Sequence, residues 1–425
     1  MSKKDILDLA MKTNFMKRKP RKIDPCNFLA MVCTLSVLDT PSFNSIAASY
    51  SVNYSILASK QAISKKIKDE CLDFFKSILA LIIQTRANID EAGTTPSFLN
   101  KYKRVLVQDS TIIKLPERLF TSFSGVNNAY KPVCNARIQG VYDLISGQFL
   151  SFSIDPYSKN DLLAAPELEI RKDDLTIRDR GYLCQDEIQR HSDAEADCIY
   201  RYKTRTTLID PQTGQEIDIY KLLKKKGYID MKVCLNNDSR TIIRLIAAPV
   251  NEAVANRRRA KAKKETKGHN PSKKVLELMS WTIFITTIPA EMASFKKIFD
   301  IYSLRWRIEI IFKAWKSHAA FGKVHNVSEI QLRILLMARL IMVVVFTHYV
   351  YYPYASIIRS KFKREISLLK LFRFITNNLE RVELLLFSEC SKNRNVAETN
   401  LSKYCTYDKR ARLNFNQIYL EITLS

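Results

Sequence analysis

Two short apolar runs in this 425-residue chain each lead into an aspartate, and no other feature narrows its folding choices as far. Val105-Leu106-Val107-Gln108 precedes Asp109, and Leu175-Thr176-Ile177-Arg178 precedes Asp179. Such runs read as strands, and a carboxylate at the carboxyl edge of a strand stands where sites open in α/β sheets. If the two strands are neighbours, both carboxylates converge on one point. Converging carboxylates repel unless a cation lies between them, and oxygen ligands of this kind suit Mg²⁺ or Mn²⁺. Taken singly, each Asp reads as a turn or cap residue.

Further β-type runs surround these two. Ile138 to Leu144 and Phe149 to Ile154 are joined by a turn-rich Ile-Ser-Gly-Gln, and a helical run, Leu162 to Ile170, separates them from Leu175. Three strands, a helix and a fourth strand begin an RNase H-like α/β fold, although many mixed folds begin the same way. Beyond Asp179 come Asp197 to Thr204, Ile229 to Leu235, Thr241 to Ala248 and Trp281 to Ile288. A basic tract interrupts them: Arg257, Arg258, Arg259, Lys261, Lys263, Lys264, Lys267, Lys273 and Lys274. The expectation is a β-rich insertion carrying a charged arm, with a solvated flexible loop as the plainer reading of that tract. Residues before 98 and after 300 carry helical apolar patterns instead.

Charge narrows the class of partner. Sixty-eight Lys and Arg against 43 Asp and Glu leave a net charge of +25, while 46% hydrophobic residues exclude a disordered chain. A polyanion is the expected partner, nucleic acid ahead of an anionic membrane surface. One cluster, Lys17, Arg18, Lys19, Arg21 and Lys22, reads either as a phosphate contact or as a solvated charge run. Ile334 to Tyr352 is apolar enough to raise the question of a membrane span, but Arg339 and His348 within it favour a buried core helix. Met1 to Pro20 has no apolar stretch of the kind a secretory leader needs, so the protein is expected to stay inside the cell. The nine cysteines show no Cys-x-x-Cys and no paired Cys/His spacing, which argues for reduced thiols and against a zinc site.

A third carboxylate, Glu309, lies in Tyr302-Ser-Leu-Arg305-Trp-Arg-Ile-Glu309-Ile-Ile-Phe-Lys313-Ala-Trp-Lys316. On one continuous helix, Tyr302, Arg305, Glu309, Lys313 and Lys316 fall within roughly an 80° arc. Leu304, Ile308, Ile311 and Trp315 fall on the other side and would face the core. A surface salt-bridge stripe accounts for the charges but not for Tyr302 in line with them.

Tyr302, Arg305, Glu309 and Lys316 reproduce the spacing Tyr-x2-Arg-x3-Glu-x6-Lys. This resembles the YREK signature of the insertion-sequence-four type of bacterial DDE transposases. The resemblance extends to Asp109-Ser-Thr and Asp179-Arg-Gly-Tyr, in the family's order, and spans about residues 100–320. It implies a site in which Asp109, Asp179 and Glu309 hold two divalent metals, Mg²⁺ with Mn²⁺ able to substitute, and in which Tyr302, Arg305 and Lys316 contact DNA phosphates. Trp281, 28 residues before Glu309, is similar in placement to the tryptophan that stacks on a flipped base in the Tn-five type of transposase; a core Trp at a strand head is the alternative. Arg201 and Lys203 resemble basic residues that approach the DNA end, with exposed strand charges as the alternative, and Lys313 shares the face of Glu309.

The implied architecture is α/β, an RNase H-like catalytic core with a β-rich insertion between flanking helical regions. Expected boundaries are an N-terminal helical DNA-binding domain over 1–98, core segments over 99–190 and 296–330, the insertion with its basic arm over 191–295, and a C-terminal helical region with a possible dimerisation role over 331–425. The implied function is a DNA transposase that binds terminal inverted repeats and performs metal-dependent end cleavage and strand transfer. Its partners are double-stranded DNA and a second copy, with no membrane. Its place is the bacterial cytoplasm, on the nucleoid when bound to DNA. A nuclease or resolvase on the same fold, and a DNA-binding protein derived from a transposase without catalysis, are the alternatives. The first has no use for Tyr302 and Trp281, and an intact acidic triad argues against the second.

Overall fold

The computed structural model describes residues 1–18, 22–87, 98–125, 133–166, 168–204, 206–265, 271–379 and 391–408. Within them the chain is mixed α/β and falls into two compact units, one built from 1–87, 110–160 and 306–408, the other from 98–109 and 161–305.

The first unit opens with five helices, α1 (Lys3–Lys12), α2 (Pro25–Ser36), α3 (Phe43–Tyr54), α4 (Lys60–Ser64) and α5 (Asp69–Ala87). The first four start at Ser2, Asp24, Ser42 and Ser59, each side chain accepting a backbone N–H of the first turn. Pro25 occupies the first position of α2, where a missing N–H costs nothing. The β-strands are numbered along the whole chain. β1 (Arg104–Lys114) begins in the second unit and ends in this one, where β2 (Asn135–Asp143) and β3 (Gln148–Pro156) form an antiparallel hairpin.

The second unit contains the first half of β1 followed in hydrogen-bonded order by β4 (Asp174–Arg178), β5 (Asp197–Arg201), β9 (Trp281–Thr286), β8 (Ile242–Pro249), β7 (Ile229–Leu235) and β6 (Leu208–Ile209). β1, β4 and β5 run parallel, and β9, β8, β7 and β6 continue antiparallel. β4 is buried along its full length, as a parallel central strand requires. The crossover from β4 to β5 is α6 (Gln185–Asp193), and the insertion adds α7 (Ile219–Lys226), α8 (Glu252–Glu265) and α9 (Lys273–Leu278). The unit closes with α10 (Phe295–Ser303).

Returning to the first unit, α11 (Trp306–His318) places Trp315 at 0% exposure among Phe149, Phe152, Phe312 and Phe321, with ring centroids 4.9–5.8 Å away. α12 (Glu329–Val344) packs on α2 and α5 and carries Arg339, fully buried, whose guanidinium donates to the carbonyls of Ser36, Asp39 and Lys323. The run from Glu329 to Phe362 is long and apolar enough to cross a membrane, but most of it is buried in the protein, as expected of a core helix. It passes through a π-helical stretch, Val345–Tyr351, into α13 (Tyr352–Phe362). There His348 Nε2 accepts the N–H of Phe149, and the ring of Tyr352 fills the space a Cβ on Gly147 would need; Gly147 sits at φ +67° in the β2–β3 turn. α14 (Leu368–Asn377) packs on α11, and a further helix, Ser391–Tyr404, packs on α13 and α14.

Four expectations need correction. Leu162 to Ile170 forms no helix among its described residues: 161–165 is turn, and Pro166 removes a donor and pushes Ala165 out of helical conformation. Asp109 does not end its strand, because β1 continues to Lys114. The stretch 302–316 is not one helix. α10 ends at Ser303, and Leu304 and Arg305 make i→i−3 bonds to Ile301 and Tyr302 before α11 begins, a tighter turn that breaks the single face. The charged arm is helical where described, Arg257 to Lys264 lying in α8, so the loop reading does not hold there. Lys267, with Lys19 and Arg21 of the N-terminal cluster, lies outside the described residues. Eight cysteines are described, and all are free thiols.

Candidate active site

The register of β1 and β4 places the first two carboxylates. Gln108 pairs with Arg178 at the last parallel rung, so Asp109 and Asp179 occupy the next position on each of two adjacent strands, a separation of about 4.8 Å between strand axes. Asp179 stands at the start of a short 3-10 turn, Arg180–Tyr182, yet its side chain makes no capping bond. It accepts instead from the Tyr302 hydroxyl at 3.2 Å. Asp109 receives Arg305 Nη1 at 2.6 Å, with side-chain exposures of 19% and 15% for the two residues, so this ion pair is largely shielded from water. The turn between α10 and α11 thus delivers Tyr302 and Arg305 to the two aspartates.

Tyr302 is held by packing as well as by its hydroxyl. Its ring lies 4.6 Å from that of Phe284 on β9, and the Arg305 guanidinium sits 5.6 Å from the Tyr302 ring. Burial pushes the phenol pKa well above its ordinary value; Arg305 opposes that rise and Asp179 adds to it. Tyr302 is therefore a hydrogen-bond donor at any physiological pH. Arg201 belongs to the same neighbourhood: it pairs with Phe284 at the end of β5, and its charge acts on both Tyr302 and Arg258. Lys203 lies beyond the end of β5 and lines a different cavity of about 360 Å³ with Leu183, Thr206 and Asn236, so the strand placement expected for it fails. Trp281 heads β9, donates its indole N–H to Gly227 at 2.8 Å and, partly buried, packs against the core of the second unit.

Glu309 belongs to the first unit. It lines a cavity of about 250 Å³ with Ser110, Thr111, Phe312, Lys313, Lys316 and Ser317. Ser110 and Thr111 follow Asp109 directly on β1, and Lys313 and Lys316 are both exposed on α11. The buried face predicted for this helix is observed: Leu304, Ile308, Ile311 and Trp315 are all at 0% exposure.

Among the described residues, no three His, Cys, Asp or Glu side chains are gathered closely enough to hold a metal ion. The donor chemistry of Asp109 and Asp179 nevertheless fits a hard divalent cation, since two carboxylates on adjacent strand positions offer only oxygen ligands. Arg305 supplies to Asp109 the positive charge that such an ion would bring.

Three residues escaped sequence reasoning. Asp161 places a carboxylate oxygen 3.0 Å from where a Cβ on Gly181 would stand, so Gly181 of the Asp-Arg-Gly-Tyr motif makes room for a further acid. Arg137, buried on β2, directs Nη1 to the Ser110 hydroxyl at 3.4 Å and lies over the Tyr157 ring. Trp306, next in the chain after Arg305, is 58% exposed. No spacing rule finds Asp161 or Arg137, but an aromatic inside the Tyr-x2-Arg-x3-Glu pattern is a signal.

The chain matches the transposase DDE domain over residues 101–345, and it belongs to that family of DNA transposases. It is 28% identical over 412 residues to the transposase of insertion sequence element IS231D from Bacillus thuringiensis subsp. finitimus, covering 91% of this chain and 84% of that protein. It is also 25% identical over 447 residues to the transposase of IS1151 from Clostridium perfringens, covering 98% and 93%. The resemblance to transposases of the insertion-sequence-four type therefore holds, and the family works with a divalent metal. Among solved structures, a piggyBac transposase synaptic complex with hairpin DNA aligns over 97% of this chain and 84% of that one, with a TM-score of 0.46 and 8% identity, too loose a likeness to assign any residue.

Proposed function

We propose that the chain binds the terminal inverted repeats of its own element and carries out metal-dependent end cleavage and strand transfer into target DNA. The observation that carries this reading is the pairing of Asp109 with Arg305 and of Asp179 with Tyr302 just past the last parallel rung between β1 and β4. The strand order in which β4 and β5 follow β1 in parallel, with the β2–β3 hairpin antiparallel, supports an RNase H-like core.

Asp109, Asp179 and Glu309 supply the carboxylates that hold Mg²⁺, with Mn²⁺ as a substitute. A metal so held would lower the pKa of an attacking water or 3′-hydroxyl and stabilise the leaving oxygen of an in-line displacement. Tyr302 donates a hydrogen bond, and Arg305, Arg201, Lys313 and Lys316 add positive charge along the phosphate backbone. Lys203 and Trp281 are retained as outer DNA contacts. Their positions support this less, Trp281 because its indole N–H is already bonded to Gly227. The active form is a homodimer on two ends, the N-terminal helices bind DNA, and the reaction takes place in the bacterial cytoplasm on nucleoid DNA.

The test is cleavage of labelled DNA carrying the element's ends, with Mg²⁺ or Mn²⁺, by wild type and by Glu309→Gln. Cutting by wild type alone, with both proteins binding, is the expected result. Binding without cutting by either would replace this reading with that of a binding protein on a transposase scaffold.

A further inference from the structure

The N-terminal helical region contains an electropositive cleft that the acidic site does not account for. A concavity of about 590 Å³ is lined by Lys17, Arg18, Lys22, Lys65, Lys66 and Lys68, with Glu70 the only acid. The cations come from two segments more than 40 residues apart, the stretch after α1 and the α4–α5 junction. Five of the six are exposed, and among the described residues none of the six forms an ion pair. Like charges gathered on one concave wall repel, and the arrangement persists at low cost only where solvent or a polyanion screens it.

The cleft is built on a fixed floor. Lys66 donates to the Phe15 carbonyl at 3.1 Å and sits 4.7 Å over the Phe15 ring, tying the two walls together. Phe15 in turn stacks on Phe74 of α5 at 4.8 Å with planes 3° apart. Burial lowers the pKa of Lys66, whose role is that of a cross-link, while the exposed five remain available as phosphate partners. The cavity is far larger than one phosphate group and is rimmed by ammonium and guanidinium groups. Such a lining suits a run of backbone phosphates, which point charges recognise without reading base edges.

We propose that this cleft is a sequence-independent clamp on the sugar–phosphate backbone of duplex DNA, formed by Lys17, Arg18, Lys22, Lys65 and Lys68. It rests on the transposase reading only for its choice of duplex DNA as the polyanion.

Fluorescence anisotropy over a range of NaCl concentrations tests it, using one duplex that carries the element's terminal repeat and one of scrambled sequence. Lys65→Ala/Lys68→Ala removes two phosphate contacts, so the slope of log K against log salt should become shallower by about 1.8 on both duplexes. Lys392→Ala/Lys403→Ala, an equal loss of charge from exposed positions of the helix Ser391–Tyr404, should leave the slope unchanged. An unchanged slope in the cleft variant, or an equal change in both variants, overturns the clamp. A loss confined to the terminal-repeat duplex also overturns it, in favour of base reading. Since all four substituted lysines are exposed, matching melting curves confirm that the fold is intact. Metal-dependent cutting by wild type is measured on the same duplexes. Cutting without the slope change leaves the transposase reading standing and removes the clamp, whereas the slope change without cutting does the reverse.

Discussion

Arg305 reaches 2.6 Å from the carboxylate of Asp109, so the turn after α10 supplies the counter-charge to an acid on the first strand. This contact makes the guanidinium both a neutraliser of the acid and a competitor for any cation the acid would hold. Arg305→Ala should lower the concentration of Mg²⁺ that half-saturates end cutting, because the competitor is gone. The maximal rate should fall about 100-fold with the loss of a charged donor to phosphate. Single-turnover nicking across a metal titration measures both, and a rise in half-saturating metal would contradict the competition.

Tyr302 should act as a donor across the whole working pH range. Its folded pKa lies above the ordinary value near 10, so the phenol stays protonated below that value in both folded and unfolded chains. Above about pH 10 the unfolded chain loses this proton first, and the contribution to stability is then lost as pH rises. Tyr302→Phe should therefore slow cutting by about fivefold, the equivalent of about 1 kcal/mol for one hydrogen bond, by the same factor at pH 7 and pH 9. A rate ratio that changes between those two pH values would show that the phenol ionises.

Trp281 and Trp306 should separate by assay. Trp281→Ala loses the bond to Gly227 and packing against the core of the second unit, and it should destabilise by about 2–4 kcal/mol in denaturant titration. Trp306→Ala, at an exposed position, should stay within about 0.5 kcal/mol of wild type. If its ring stacks on a base, the same substitution weakens binding to an unpaired DNA end by about 1–3 kcal/mol.

His191 gives the fold an acid limit. It is fully buried on α6 with Nδ1 2.6 Å from the Glu187 carbonyl, and burial drives its pKa down to about 4, opposed by that bond and assisted by Arg178. Between about pH 6.5 and 4 the unfolded chain binds a proton that the folded chain refuses, so stability falls as pH falls through that window. Over the full window the loss amounts to about 3 kcal/mol. His191→Gln should flatten this dependence, as thermal melts at pH 7 and pH 5 would show.

The strands were the most legible part of the chain. β2, β3, β4 and β7 coincide closely with apolar runs bounded by polar or turn residues, whereas the sequence left open whether the strands leading to Asp109 and Asp179 are neighbours, which their parallel pairing settles. The extension of β1 past Asp109 was hidden because Ser110-Thr-Ile-Ile-Lys sets two polar residues before two apolar ones, with no period-two pattern to mark a strand. The break at Leu304 and Arg305 was invisible for another reason: neither Gly nor Pro marks it, and it arises from two tightened hydrogen bonds. Pairings that depend on tertiary approach, Arg305 with Asp109 or Lys66 with Phe15, have no sequence signature. For Trp281 the distance along the chain points to a base stack, while its indole bond to Gly227 could not be read from the sequence.

The π-helical stretch at Val345–Tyr351 makes the chain a counting device. Its wider turns absorb residues that an α-helix would have to spend on rotation, and His348 and Tyr352 meet the β2–β3 hairpin only at that count. Deleting one residue there would let the helix close to ordinary α geometry at no cost to its own hydrogen bonds. Winding the intact segment as an α-helix would instead turn every side chain beyond it by roughly 100°, swinging Tyr352 away from Gly147. What is fixed here is thus the winding rather than the number of links: the segment can give up one residue more easily than it can keep them all and straighten into an ordinary helix.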